Sequence, residues 1–180
     1  NINDEIYTTD KILELSKDCD GILSAITDQF NKDLVNKLSP SIKIIANYAV
    51  GYGNIDVDTA KKKNIVVTNT PEVLDDSTAD VSILLLLGAS RKVLEARRAA
   101  ERQDWKWSAD FMLGKQMSNK RLGILGMGRI GRAVAKRARG FNMEIHYHNR
   151  SQLSKDLEEG AIYHKTLKDL FNCSDFLSIN

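Results

Sequence analysis

Little in this sequence points to a disulfide scaffold, a membrane or a polyanion. Its two cysteines, Cys19 and Cys173, stand far apart with no CxxC pair. That argues against a disulfide framework or a cysteine zinc site and fits a reducing compartment. The two prolines, Pro40 and Pro71, leave no proline-rich linker. The longest apolar run, Val81 to Leu87, is broken at Ser82 and falls well short of the about 20 residues that cross a bilayer. Net charge is scarce as well: 26 basic against 24 acidic residues leave +2, too weak a field to hold nucleic acid. The polar opening Asn1-Ile2-Asn3-Asp4-Glu5 does not read as a secretory leader, so a cytoplasmic location is expected.

What is present is ordinary globular composition: 180 residues, 42% hydrophobic and 28% charged. That rules out a disordered chain or a coiled-coil rod and allows one domain or two small ones. Short apolar runs alternate with helical patterns. Residues 21–26, 42–50, 65–68, 122–125, 143–148 and 175–179 read as strands, and about 10–18, 30–38, 56–63, 129–139 and 166–172 as helices. Such alternation predicts βαβ units, parallel sheets and an α/β fold. The segment 75–100 reads as one long helix, apolar on nearly every side over Ile83 to Leu87 and so expected to be buried. Ser77 and Asp80 stand at capping-box spacing near its start. A boundary between two α/β units is expected near Pro71, giving domains 1–74 and 75–180, the second containing a bridging helix 75–100.

The strongest chemical signal is Gly126-Met127-Gly128-Arg129-Ile130-Gly131, a Gly-x-Gly-x-x-Gly leaving the apolar strand Leu122 to Leu125. Gly126 permits a tight turn, Gly128 lets the backbone approach a pyrophosphate, and Gly131 lets the following helix pack against the strand. The helix N-terminus then offers amide N–H groups to phosphate. About 20 residues on, an NAD site carries an acidic residue for the ribose. Here the second strand ends in Asn149-Arg150-Ser151. Arg150 can pair with a 2′-phosphate and Ser151 can donate to it, so NADP is the expected cofactor and NAD the alternative.

His146 and His148 alternate on one strand and share a face. No third ligand is spaced to join them, so no metal site is expected. Trp105 and Trp107 flank Lys106 in a polar stretch, readable either as satellite core or as an arm that docks on a partner subunit.

Four ordered motifs carry a resemblance. They are Ile45-Ala46-Asn47-Tyr48-Ala49-Val50-Gly51-Tyr52-Gly53-Asn54-Ile55-Asp56, then Thr68-Asn69-Thr70-Pro71-Glu72-Val73-Leu74, then Ser77-Thr78-Ala79-Asp80, and the glycine loop with Tyr147-His148-Asn149-Arg150 behind it. With them the chain resembles the D-isomer-specific 2-hydroxyacid dehydrogenases, nearest the glyoxylate and hydroxypyruvate reductases. The resemblance implies a flavodoxin-like substrate domain followed by a Rossmann NAD(P)-binding domain, with both parallel sheets incomplete. It implies an oxidoreductase that transfers hydride from the nicotinamide to a small 2-oxo acid, giving the D-2-hydroxy acid. By family pattern the backbone N–H groups of Val50 and Gly51 bind the substrate carboxylate, and Thr78 contacts the nicotinamide side. Gly126, Met127, Gly128, Arg129, Ile130 and Gly131 hold the pyrophosphate, and Asn149, Arg150 and Ser151 hold the ribose end. Residues 101–120 form a dimer arm, which makes a homodimer the expected assembly. Gly53 stands where the family usually has Asp. The family's substrate-clamping Arg and its Glu–His proton relay lie downstream of a strand like the one ending at Asn180, so no catalytic residue is assigned here. The chain reads as a piece cut at both ends. The alternative is a cofactor-binding regulator of the co-repressor type, which binds partners without turnover.

Overall fold

A computed structural model describes residues 6–103 and 105–180; the polar opening at 1–5 and Asp104 lie outside the described residues. The chain divides into two compact units, Asn1–Leu74 and Asp75–Asn180.

The first unit alternates α1 (Thr9–Ser16), β1 (Gly21–Ala25), α2 (Lys32–Lys37), β2 (Ile44–Tyr48), α3 (Val57–Lys62) and β3 (Val66–Thr68). Its strands form one parallel sheet in the order β1-β2-β3. Polar caps decide where the helices start. Thr8, Asn31 and Asp56 precede α1, α2 and α3, and each side chain accepts from a backbone N–H of the first turn. Behind these caps the apolar stripes close on the sheet: Leu34 and Val35 of α2, Ile45 of β2 and Ala60 of α3 are fully buried. Phe30, which the periodicity assigns to the helix, instead bridges to Ile55 ahead of the Asn31 cap.

The second unit begins with α4 (Asp75–Ser90) and α5 (Val93–Arg102). β4 (Arg121–Leu125), α6 (Arg129–Arg139), β5 (Glu144–His148), α7 (Lys155–Glu158), β6 (Ile162–Tyr163), α8 (Leu167–Cys173) and β7 (Phe176–Ile179) follow. The four strands are parallel, in the order β6-β5-β4-β7. Read by position in the unit this is third, second, first, fourth, the half-sheet order of a doubly wound dinucleotide fold. Alternate residues face opposite sides. Leu122, Ile124, Ile145 and Tyr147 join a core with Ala79 of α4 and Val134 of α6. Gly123 faces α8 so closely that a Cβ there would stand 3.3 Å from Leu170 Cδ1 and would collide with Ser174.

Three expectations fail in the second unit. The helix 75–100 is two helices, because Lys92 takes a left-handed conformation at φ 54°. The break comes from a remote segment: Lys115 N–H donates to Ser90 O at 2.8 Å, and Gly114 approaches that carbonyl where no Cβ could fit. Ser77 lies inside α4, which opens at Asp75, so it is not the N-cap. Asp80 instead pairs with Arg137 of α6 at 2.6 Å. Burial on every side also fails. Ala79, Ile83, Leu86 and Leu87 pack on the core, whereas Val81, Leu84 and Leu85 are 53%, 66% and 66% exposed.

Arg121 at the head of β4 holds Asp175 ahead of β7 with two guanidinium contacts of 3.1 Å and its own N–H at 3.0 Å. These hydrogen bonds keep the Asp175 carboxyl well below its ordinary value of 3.8. A carboxyl depressed in the folded state stabilises the fold above its unfolded pKa, and the benefit fades as pH falls. The urea midpoint of Asp175→Asn should therefore lie below that of the wild type at neutral pH. The gap should shrink as pH falls below 3.8.

Candidate functional site

The carboxyl ends of β4, β5 and β7 meet at Leu125, His148 and Asn180. Gly126 N–H donates to His148 O at 3.1 Å and Asn180 N–H to Leu125 O at 3.0 Å. Here strand order reverses direction around β4, which is where open parallel sheets bind ligands. A crevice of about 600 Å³ opens at this point, lined by Gly126, Gly128, Asn149, Arg150 and Ser151 with the three strand ends and Leu167.

The three motif glycines have distinct reasons to be glycine. Gly126 has φ +95°, and a Cβ on it would stand 2.5 Å from Asn180 O. A Cβ on Gly131 would stand 3.2 Å from the Ile124 side chain and would overlap the Gly126 carbonyl outright. Both glycines are therefore demanded by the protein itself. Gly128 is different: it has φ −79°, and apart from its immediate chain neighbours no described protein atom lies within 4 Å of where its Cβ would be. The space it leaves is open crevice. It also sits at the N-cap of α6, with no side-chain cap and no acidic residue in the first turn. The arrangement fits a phosphate approaching the backbone of an uncapped helix.

Asn149 at the tip of β5 accepts Met127 N–H on Oδ1 at 2.7 Å. Met127 is itself 1% exposed. This bond staples the glycine loop to the second strand and takes up the Met127 amide internally, while Asn149 also lines the crevice. Arg129 leans away to Asp75 at 3.2 Å, and Ile130 packs its side chain on the core. Arg150 and Ser151 are exposed on the crevice wall, and no carboxylate is among the residues that line it.

The turn 149–153 that presents Arg150 is held by a polar network that local sequence pattern does not reveal. Tyr147, fully buried, donates to Glu158 Oε1 at 2.7 Å and accepts Leu153 N–H at 3.0 Å. Gln152 Nε2 donates to the same Glu158 oxygen at 2.8 Å. Burial pushes the Tyr147 hydroxyl up to about 12, so it stays a donor. The donors from Gln152 and Tyr147 lower the Glu158 carboxyl, so it stays an acceptor.

In the first unit, Val50 and Gly51 form a turn beyond the end of β2. Its carbonyls are tied down: Asn69 Nδ2 donates to Val50 O and Asn47 Nδ2 to Gly51 O, both at 2.8 Å. Asn47 also reaches buried Asn54 and Ser24. These two side-chain donors, Asn69 and Asn47, fix the peptide groups of the turn. A buried Asn in an apolar strand needs partners, and that signal at Asn47 was available in the sequence. Gly53 has open space around it and sits outside these bonds. Thr78 is half-buried in α4, its carbonyl accepting from Ser82, and is not among the crevice-lining residues.

His146 and His148 do share a face of β5, but the structure sends them to different partners. His148 Nδ1 donates to His164 O at 2.8 Å and flanks the crevice, whereas His146 meets the His164 ring. Trp105 stacks on Phe111 at 5.4 Å while remaining 51% exposed, and Trp107 is 81% exposed, so neither is satellite core.

The second unit is thus a Rossmann-type half, built to take a dinucleotide at the carboxyl ends of its strands, and it follows a smaller parallel α/β unit. The chain belongs to the D-isomer specific 2-hydroxyacid dehydrogenase family: the family model described as "D-isomer specific 2-hydroxyacid dehydrogenase, NAD binding domain" matches residues 83–180. Among relatives, the glyoxylate reductase of Korarchaeum cryptofilum is 44% identical over 171 residues, covering 94% of this chain and 51% of its own. A glyoxylate reductase structure from Paecilomyes thermophila superposes with a TM-score of 0.86 at 38% identity, over 97% of this chain and 56% of its own. The D-lactate dehydrogenase of Aquifex aeolicus, complexed with NAD and lactic acid, has a TM-score of 0.83 at 26% identity, over 93% and 49%. The chain spans about half the length of these relatives. No helix among the described residues is long and apolar enough to cross a membrane.

Proposed function

We propose that this chain is the cofactor-binding part of an NADPH-dependent reductase of small 2-oxo acids of the glyoxylate and hydroxypyruvate type, yielding the D-2-hydroxy acid. The observation that carries it is the crevice itself: a glycine loop with open space at Gly128, and Arg150 and Ser151 in place of a carboxylate. A nicotinamide cofactor supplies the hydride. The chain's own residues would bind and orient it: the α6 N-terminus and the amide of Gly128 would receive the pyrophosphate, and Arg150 and Ser151 would meet the 2′-phosphate. The Val50–Gly51 amides would hold the carboxylate of the oxo acid. Names of the reductases among its relatives favour this reading over a regulator without turnover. The exposed apolar stretch of Val81, Leu84 and Leu85, with Trp105 and Trp107, supports a homodimer.

The test uses the full-length protein. NADPH oxidation should be seen with glyoxylate or hydroxypyruvate and should exceed NADH oxidation; loss of both with glyoxylate, hydroxypyruvate and pyruvate overturns the activity. Arg150→Ala should weaken NADPH by about 1.5–3 kcal/mol, roughly ten- to a hundred-fold in Kd, while leaving NADH nearly unchanged. Equal losses for both cofactors would remove the 2′-phosphate role.

A further inference from the structure

On the α8 face of the second sheet, away from the core that holds α4 and α6, three side chains from separate elements converge. His146 of β5 is 6% exposed. Its Nδ1 lies 2.8 Å from Nε2 of His164, the residue after β6. Cys173 Sγ, at the end of α8, lies 3.4 Å from that same nitrogen. All three donor atoms lie within 4.8 Å of one another. The second nitrogen of His146, Nε2, meets the Glu144 carboxylate. Nothing in the reductase reading uses this cluster.

We infer that His146, His164 and Cys173 bind a divalent ion of the zinc class through Nδ1, Nε2 and Sγ, with the fourth position left to solvent. Two imidazoles and a thiolate are a borderline-soft donor set suited to zinc. Zinc bonds of about 2.0–2.1 Å to nitrogen and 2.3 Å to sulfur place tetrahedral ligand atoms about 3.3 Å and 3.6 Å apart. The observed 2.8 and 3.4 Å separations need only a small opening to admit an ion. Glu144 supplies what ligating histidines ordinarily have, a carboxylate on the far ring nitrogen that fixes the tautomer. With that proton on Nε2, His146 Nδ1 carries a lone pair toward the site. His164 Nε2 then holds the proton between the rings. On binding, this proton passes to Nδ1 of His164 through solvent, and the Cys173 thiol gives its proton to solvent as the sulfur–metal bond forms. The ion would tie α8 and β6 to β5, behind the strand whose tip carries Asn149.

Cobalt(II) titrated into the purified protein tests this by absorption, a readout independent of the reductase reading. The expected result is one equivalent bound, with a thiolate-to-cobalt charge-transfer band and tetrahedral d–d bands, both displaced by zinc. The band should persist in Cys19→Ser, which removes the exposed thiol of the first unit, and vanish in Cys173→Ser. His164→Gln, which keeps the thiol, should lose the stoichiometric binding, and it decides the matter if the serine variant fails to fold. No band in the wild-type protein, a band that survives Cys173→Ser, or one lost in Cys19→Ser overturns the site.

Discussion

Gly131→Ala should destabilise the second unit, whereas Gly128→Ala should leave stability untouched and strip away cofactor affinity. A methyl on Gly131 overlaps the carbonyl of Gly126, a backbone atom that cannot swing aside. Either α6 lifts from β4 or the glycine turn opens. Overpacking of this kind costs about 1–3 kcal/mol, read as a lower urea midpoint. Cofactor binding falls too, but only as the loop distorts. At Gly128 the backbone has φ −79°, which alanine adopts freely, and its Cβ would meet no described protein atom within 4 Å beyond its chain neighbours. Stability should stay within about 0.5 kcal/mol of wild type. The methyl would stand where phosphate is to approach, so the Kd for NADPH should rise at least about tenfold, or about 1.4 kcal/mol. Fluorescence titration alongside urea unfolding separates the two variants. If Gly128→Ala binds cofactor normally, the pyrophosphate does not approach that amide.

The contrast explains which parts of the site were legible in the sequence. The glycine loop is contiguous, and its strand, turn and helix follow from local pattern: β4 and α6 fall where the apolar run and the 129–139 periodicity predict. The tip of β5 was legible for the same reason, since Arg150 and Ser151 sit one strand on from the loop. The bond from Met127 to Asn149 was not, because the residues stand 22 apart in sequence and their approach depends on the parallel register of β4 and β5. The break between α4 and α5 was hidden for a related reason. Arg91 and Lys92 carry no breaker, and the cause is Gly114 and Lys115 returning to Ser90. The short α7 and β6 are too brief to leave a period. With them went His164 and, through α8, the grouping of Cys173 with His146. The first unit was readable to within two residues at its strand ends because its apolar runs are short and bounded by polar segments, whereas the Asn31 cap was passed over and Phe30 assigned to the helix.

The hidden network around Tyr147 carries the second large effect. Tyr147→Phe keeps the ring in the core and removes only the hydroxyl. That hydroxyl serves two groups at once: it donates to Glu158 and accepts from Leu153 N–H. Glu158 retains Gln152 as a donor, but the Leu153 amide is left half-buried without its acceptor. Deleting such a hydroxyl costs about 1–3 kcal/mol, so the urea midpoint should fall clearly. The consequence reaches function because Asn149, Arg150 and Ser151 lie on the turn between Tyr147 and Leu153. Loosening its far anchor lets Arg150 sample positions off the crevice wall, and NADPH affinity should fall more than NADH affinity, in the same direction as Arg150→Ala but less steeply. Arg150→Ala, exposed and outside the network, should leave the midpoint unchanged. A Tyr147→Phe protein with full stability would mean that the turn is held by Gln152 and Glu158 alone. One with lowered stability and unaltered cofactor preference would mean that Arg150 is positioned independently of the Tyr147 hydroxyl.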